Sequence, residues 1–174
     1  MVPANTTADC QQGNIIADLH WLVEQATQRE LRIAYEAMSW STFINTTPQA
    51  WEIVQEINSP ALGLVIDAFH IFALNRTADD LKGIPADKIF LVQLSDVSEI
   101  PPHDRLIRVA RHNRLLPGAG VLPVKTLLRR LAELNYQGPV GLEVFNDQLK
   151  TQDPRLVAQQ AFAALNDILA QANF

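Results

Sequence analysis

Four oxygen-bearing side chains stand at or near the ends of short apolar stretches: Glu36, Asp67, Gln93 and Glu143. A buried acid is costly unless it is paired or bound to a cation. Three carboxylates and one amide oxygen form a hard ligand set, which favours Mg²⁺, Mn²⁺ or Co²⁺ over a structural zinc ion. The pattern therefore predicts a divalent-metal site. The alternative for each acid is a buried arginine partner, or a place in solvent beyond a strand end.

Three more side chains are candidates for the chemistry around such a metal. His70 follows Asp67 by three residues, in a predicted loop above the metal, where a neutral imidazole can be a general base, a fifth ligand or only a hydrogen-bonded loop residue. Arg114 lies in the segment RHNR, and an arginine there can hold a substrate carboxylate with two hydrogen bonds, unless the segment is a solvated basic loop. The side chain of Trp40 can contact an apolar face of the substrate, or it can pack in the core.

The remaining aromatic and imidazole side chains are given structural roles. His20 and Trp21 fall in the first predicted helix, and both are expected to pack inward. Trp51 is expected in the core for the same reason. His103 follows two prolines and is predicted to be exposed.

Helical and strand patterns alternate between these residues. The four predicted strands are LRIAYEA (31–37), LGLVID (62–67), KIFLVQL (88–94) and PVGLEVF (139–145). Predicted helices begin at Asn14, at Thr47 with Pro48, at Thr77, near Pro123 and at Pro154, and RLIRVAR is long enough for one or two turns. Apolar strands that alternate with helices belong in a parallel sheet covered by helices, and the carboxyl ends of such strands meet at one edge. The sequence therefore predicts an α/β fold.

Composition narrows the classes of function. The chain has 174 residues, a net charge of −5 and a single cysteine, Cys10. A clustered basic face is absent from the sequence, so no nucleic-acid partner is expected. One cysteine excludes an intrachain disulfide and a cysteine-rich zinc site. No apolar run approaches the length of a membrane span, and no signal-peptide pattern begins the sequence, so we expect a cytoplasmic protein.

The motifs IAYEAMSW, VIDAFHIF, FLVQLSDV, RHNRLLPGAG and GPVGLEVFND resemble those of bacterial 3-dehydroshikimate dehydratases, from about residue 14 to 165. These enzymes belong to the xylose-isomerase-like barrel superfamily. The resemblance implies the metal ligands Glu36, Asp67, Gln93 and Glu143, the catalytic histidine His70 and the substrate-carboxylate arginine Arg114. It departs from the family at Ala110, where a serine is frequent. The implied reaction is loss of water from 3-dehydroshikimate to give protocatechuate.

A complete barrel of this kind has eight β/α units and ~250 residues, whereas four strands are predicted here. The resemblance makes them strands five to eight, in one partial domain with residues 1–13 as a loop and 14–174 as four units after a helix. The segment MVPANTT resembles the residues after strand four of a longer protein, so we expect a truncated or split reading frame. Open edges predict pairing with another copy or with a complementing N-terminal half, or else an inactive chain. Two other functions stay open, namely a sugar-phosphate or keto-acid isomerase or epimerase of the superfamily, and an inactive metal-binding fragment.

Overall fold

The sheet and its covering helices alternate along the chain. A computed structural model describes residues 1–4 and 10–174, without the side chain of Gln12. The strands are β1 (Val2–Pro3), β2 (Ile33–Glu36), β3 (Leu62–Asp67), β4 (Ile89–Leu94) and β5 (Val140–Leu142). The α-helices are α1 (Gln12–Thr27), α2 (Thr47–Ile57), α3 (Ala68–Phe72), α4 (Leu106–His112), α5 (Val124–Glu133) and α6 (Pro154–Ala172).

All strands lie parallel and follow chain order from β1 to β5 in one five-stranded sheet. Every residue of β3 is buried, which explains its unbroken apolar sequence. Helices α2 and α5 cover the sheet with Ile53, Val54, Leu127 and Leu131, all at most 1% exposed. The predicted α/β architecture with parallel strands is confirmed.

The amino terminus differs from the predicted loop over residues 1–13. Val2 and Pro3 pair with Tyr35 and Glu36, which adds a fifth strand beside β2. Two residues are too few to show an alternating pattern, and proline is tolerated at a sheet edge because it lacks an N–H group. Residues 5–9, which complete most of that predicted loop, lie outside the described part of the chain.

Three local expectations need correction. Helix α1 begins at Gln12 and not at Asn14, and its first turn has no side-chain cap. Thr46, not Thr47, caps α2, because its side chain and that of Gln49 satisfy each other's backbone N–H groups. The last strand ends at Leu142, three residues short of the predicted boundary.

The roles predicted for two residues of α1 are wrong. Trp21 is 62% exposed, and His20 is exposed beside it. The buried stripe of α1 consists of Ile15, Leu19, Val23 and Ala26, and Trp21 lies on the opposite side of the helix. By contrast, Trp51 packs partly against the core and His103 is exposed, as predicted. Among the described residues, no helix combines the length and apolar character of a membrane span.

Candidate metal centre

The strand register brings the predicted ligands to one edge of the sheet. Asp67 pairs with Gln93 at the ends of β3 and β4, and Glu36 ends β2 beside them. Glu143 directly follows β5, and its backbone N–H donates to the carbonyl of Leu94 at 3.1 Å. Potential ligand atoms of Glu36, Asp67 and His70 lie within 4.8 Å of one another. The Gln93 amide extends the group, because its Nε2 donates to Glu143 Oε1 at 3.1 Å.

Several buried polar atoms in this cluster are left without a hydrogen-bond partner. Within the described chain, these are Glu36 Oε1, His70 Nε2 and Gln93 Oε1. An unsatisfied buried polar atom costs about 1–3 kcal/mol, so three in one place are unfavourable unless something binds them. Two of them are oxygens of predicted ligands. The residues therefore fit a divalent cation.

His70 is not in a loop as predicted, since it lies in α3. Asp67 is the N-cap of this helix, and its Oδ1 accepts the N–H of Phe69 at 2.8 Å. The ring Nδ1 of His70 accepts the backbone N–H of Ser39 at 3.1 Å and lies 3.0 Å from Ser39 Oγ. The ring Nε2 faces the cluster, 3.7 Å from Asp67 Oδ2 and 3.9 Å from Glu36 Oε1. The edge of Trp40 packs against this ring, with centroids 5.0 Å apart.

The guanidinium of Arg114 places a positive charge beside the carboxylates of the cluster. Its Nη1 donates to Asp67 Oδ2 at 2.7 Å and lies 3.2 Å from Glu143 Oε2. Its Nε donates to the carbonyl of Ala110 at 2.9 Å, and the guanidinium carbon stands 4.5 Å from the centroid of the Phe69 ring. The side chain is 2% exposed. An arginine partner, the alternative to a cation, is thus present for the buried Asp67 and for the partly buried Glu143. The adjacent Arg111 and His112 are exposed.

The charges of the cluster shift the pKa values of its members. Burial, together with the charges of Asp67 and Glu143, raises the pKa of Glu36 to about 8. Burial and Asp67 likewise raise the pKa of Glu143. Burial would also raise the pKa of Asp67, but Arg114 and His70 hold it below its ordinary value. Burial lowers the pKa of His70 to about 4. Without a bound cation, Glu36 is therefore mostly protonated at pH values below about 8.

This shift predicts that the metal-free protein loses stability as the pH rises. A carboxyl whose pKa is higher in the folded state stabilises the fold at low pH, and this contribution disappears as the pH passes through about 8. Between pH 7 and 9, where His70 stays neutral, we expect a loss of about 1 kcal/mol. Urea denaturation in the presence of a chelator measures it. The isosteric Glu36→Gln variant should show a smaller slope, because only the raised pKa of Glu143 remains, and an equal slope in that variant would assign the effect elsewhere.

Two positioning residues escaped the sequence-based reasoning. Asp96 is 1% exposed. Its Oδ1 accepts the N–H groups of Val97 and Leu122 at 2.9 and 2.8 Å, and its Oδ2 accepts that of Gly118 at 3.0 Å. Asn146 donates from Nδ2 to the carbonyl of Arg114 at 2.8 Å. Asp96 follows β4 in the motif VQLSD, and Asn146 follows β5 in the motif EVFND. Their positions just after a strand are the feature of the sequence that could have identified them.

The turn that packs against Asp96 has no room for a side chain at Gly120. A Cβ at Gly120 would clash with the carbonyl of Val97 and the carboxylate of Asp96. The turn carries the chain from Leu115, which pairs with Asp96 through two backbone hydrogen bonds of 2.7 and 2.9 Å. The turn at residues 117–120 therefore holds the backbone that follows Arg114 against Asp96.

Comparison with known proteins agrees with this arrangement. A family model described as xylose isomerase-like TIM barrel matches residues 2–168. The chain is 34% identical over 167 residues to a Pseudomonas putida protein named 3-dehydroshikimate dehydratase, covering 95% of this chain and 26% of that protein. It is 30% identical over 124 residues to an inosose isomerase of Halalkalibacterium halodurans, covering 71% and 41%. The chain thus spans about a quarter of the length of the dehydratase.

Two solved structures are also similar. A xylose isomerase-like TIM barrel/4-hydroxyphenylpyruvate dioxygenase fusion protein superposes with a TM-score of 0.89 at 35% identity, over 98% of this chain and 27% of that one. The IOLI protein, solved with a bound zinc atom, superposes with a TM-score of 0.84 at 25% identity, over 98% of this chain and 62% of that one. The first confirms the barrel-like fold, and the second shows a divalent metal in a related structure.

Proposed function

Because the chain belongs to the xylose isomerase-like TIM-barrel family, we propose that its strand-end cluster is the metal site of a 3-dehydroshikimate dehydratase. The proposed ligands are Glu36, Asp67, Gln93 and Glu143, and the proposed cation is Mg²⁺, Mn²⁺ or Co²⁺. The observation that carries the proposal is the group of unpartnered buried atoms, which includes one oxygen each of Glu36 and Gln93. The 34% identity to a dehydratase supports the choice of substrate.

We also propose that residues 1–174 form one partial domain, the C-terminal half of an eight-stranded barrel. Strands β2 to β5 correspond to strands five to eight, and β1 to the end of strand four. Among the described strands, β1 and β5 each have a neighbour on one side, and an exposed strand edge favours further pairing. The proposed partner is a complementing N-terminal half or a second copy of the chain.

Each group of the proposed site has a separate role in the reaction. A divalent cation held by Glu36, Asp67, Gln93 and Glu143 would supply Lewis-acid stabilisation of the negative charge that develops on the substrate's ketone oxygen. His70 removes the proton from the carbon next to the ketone and passes it to the hydroxyl, which leaves as water and returns His70 to its neutral form. Aromatisation of the ring drives the step. Arg114 orients the substrate carboxylate through Nη2, because its Nη1 and Nε are bonded to groups of the protein.

An assay with 3-dehydroshikimate and Mn²⁺ or Mg²⁺, followed by the absorbance of protocatechuate, tests this function. We expect little turnover from the isolated chain, since the proposed half-barrel would leave one side of the site open, and restored turnover when a polypeptide supplies the remaining β/α units. In the restored protein, His70→Gln should lower kcat by about 10²–10⁴-fold. Normal turnover by the purified monomer would contradict the half-barrel, and no turnover in the complemented protein would contradict the dehydratase.

A second candidate function is an isomerase or epimerase that uses the same cation. The observation that favours it is the 30% identity to an inosose isomerase. The same preparation offered an inosose or a ketohexose separates the two functions. Conversion of either compound, with 3-dehydroshikimate untouched, would support this candidate.

A further inference from the structure

The segment at residues 103–114 carries a charge opposite in sign to that of the chain. It contains four of the 14 Lys and Arg residues and one of the 19 Asp and Glu residues, whereas the chain has a net charge of −5. Three of its arginines, Arg105, Arg108 and Arg111, lie in α4 or directly before it. A positive region on an acidic protein concentrates anions from solution beside it. A nucleic-acid face neutralises more phosphates than three guanidiniums can, so a small anion suits this region better.

Helix α4 exposes its arginines on the side opposite the core. Leu106 and Ala110, each 1% exposed, form the buried side. Positions 108 and 111 fall on the other side of the helix, and Arg105, Arg108 and Arg111 are all exposed. Within the described chain, none of the three forms an ion pair. Their charges are therefore available to a ligand.

Helix α4 lies at the same edge of the sheet as the metal cluster. It belongs to the connection that follows the carboxyl end of β4. The carbonyl of Ala110 accepts the bond from Arg114 Nε at 2.9 Å, and the carbonyl of His112 accepts the N–H of Asp147, which follows β5, at 3.0 Å. A helix of this length, 7 residues, measures about 10 Å, which matches the Debye length at about 0.1 M salt. An anion held along α4 is therefore within the electrostatic reach of Arg114.

A groove beside α4 gives a small anion a place to bind. Its volume is about 320 Å³, and its lining residues are Ser98, Glu99, Arg105, Arg108, Val109 and Asn113. Two guanidiniums can each donate a pair of hydrogen bonds to a carboxylate. The hydroxyl of Ser98 and the amide of Asn113 add further donors. Glu99 is the one acid among these lining residues, so the groove keeps a positive charge.

We propose that the outer face of α4 is an entry site for carboxylate-bearing substrates, which binds them by charge and delivers them to Arg114. The inference rests on the proposed function for the identity of the substrate. 3-Dehydroshikimate is an anion, which the negative charge of the chain repels, and the arginines of α4 offset this repulsion at the site. An inosose or a ketohexose has no charge for α4 to attract. The basic face therefore favours the dehydratase over the second candidate.

Backbone ¹⁵N–¹H spectra of the full chain, titrated with shikimate, test the entry site without any turnover. Shikimate has the carboxylate but no ketone to react. We expect amide shifts concentrated at residues 105–113 at about 20 mM NaCl, and binding at least about tenfold weaker at about 300 mM NaCl, where the charges are screened. The uncharged methyl ester of shikimate should not cause these shifts. Equal shifts with the ester, salt-independent binding, or no shifts in α4 would each overturn the proposal.

A double variant, Arg105→Gln with Arg108→Gln, tests the residues of the groove. It should weaken shikimate binding by about tenfold at low salt. Arg29→Gln with Arg32→Gln is the matched control, because it removes the same charge from exposed residues that precede β2, at the opposite edge of the sheet. This control should bind as the wild type does. Equal weakening in both double variants would overturn the proposal, since the effect would then belong to net charge alone.

Kinetics in the complemented protein separate entry from chemistry. The double variant at Arg105 and Arg108 should lower kcat/KM by about tenfold at low salt with kcat unaltered, and the difference should vanish at about 300 mM NaCl. A lowered kcat, or a difference that persists at high salt, would contradict an entry role. If the complemented protein makes no protocatechuate, the dehydratase proposal fails, whereas the shikimate titration still decides the entry site.

Discussion

Arg114→Met should destabilise the metal-free protein by about 3–5 kcal/mol, because it leaves the buried carboxylate of Asp67 without its partner. The same substitution should tighten the binding of a divalent cation by about tenfold or more, since the cation no longer shares the field of Asp67 and Glu143 with a guanidinium 2.7 and 3.2 Å away. Urea denaturation with a chelator measures the first effect, and calorimetric titration with Mn²⁺ measures the second.

The exposed neighbour Arg111 provides the matched control, and Arg111→Met should change neither quantity. Where the metal-free Arg114→Met chain is too unstable to titrate, circular dichroism during Mn²⁺ addition follows metal-induced folding instead. Unchanged metal affinity, together with a raised KM in complemented protein, would show that Arg114 serves the substrate and not the charge of the cluster.

Asp96→Ala should cost about 3 kcal/mol or more of the free energy of unfolding. The carboxylate of Asp96 is the acceptor for the N–H groups of three residues, and each buried donor left unpaired costs about 1–3 kcal/mol. Asp96→Asn should cost less, because its carbonyl oxygen still accepts the bonds from Val97 and Leu122. Denaturant unfolding measures both variants.

Asp104 lies exposed in the same long connection, and Asp104→Ala should leave stability unchanged to within about 0.5 kcal/mol. Gly120→Ala tests the same turn from the other side, because its new Cβ meets Asp96 and Val97. An Asp96→Ala chain as stable as the Asp104→Ala control would show that the turn does not depend on this carboxylate.

The apolar runs in the sequence predicted the central strands of the sheet. The polar residues at the ends of those runs predicted which side chains lie at one edge of the sheet. The run LGLVID coincides with β3 because burial on both faces leaves no other pattern. The same logic brought Asp67 and Gln93 together, since parallel register aligns strand ends. Strand β1 was missed because two residues carry no periodicity.

Long-range contacts could not be foreseen in the same way. Arg114 stands among exposed basic residues in the sequence, and nothing local shows that its side chain turns inward to Asp67, 47 positions earlier. The bond from Ser39 to His70 spans 31 positions and uses a backbone group, which residue types do not reveal. The residue types of the proposed ligands can thus be predicted from local sequence, whereas the charges and hydrogen bonds around them depend on the fold.

Calorimetric titration of the metal-free chain with Mn²⁺ at pH 8 tests the metal centre most directly. We expect one ion per chain in the wild type and wild-type binding in Glu52→Gln, which alters an exposed glutamate of α2. Binding should weaken by at least about tenfold in Glu36→Gln, because even the loss of an outer-shell partner costs about 10–100-fold. Absence of binding in the wild type, or equal affinity in the two glutamate variants, would contradict a cation site at the ends of these strands.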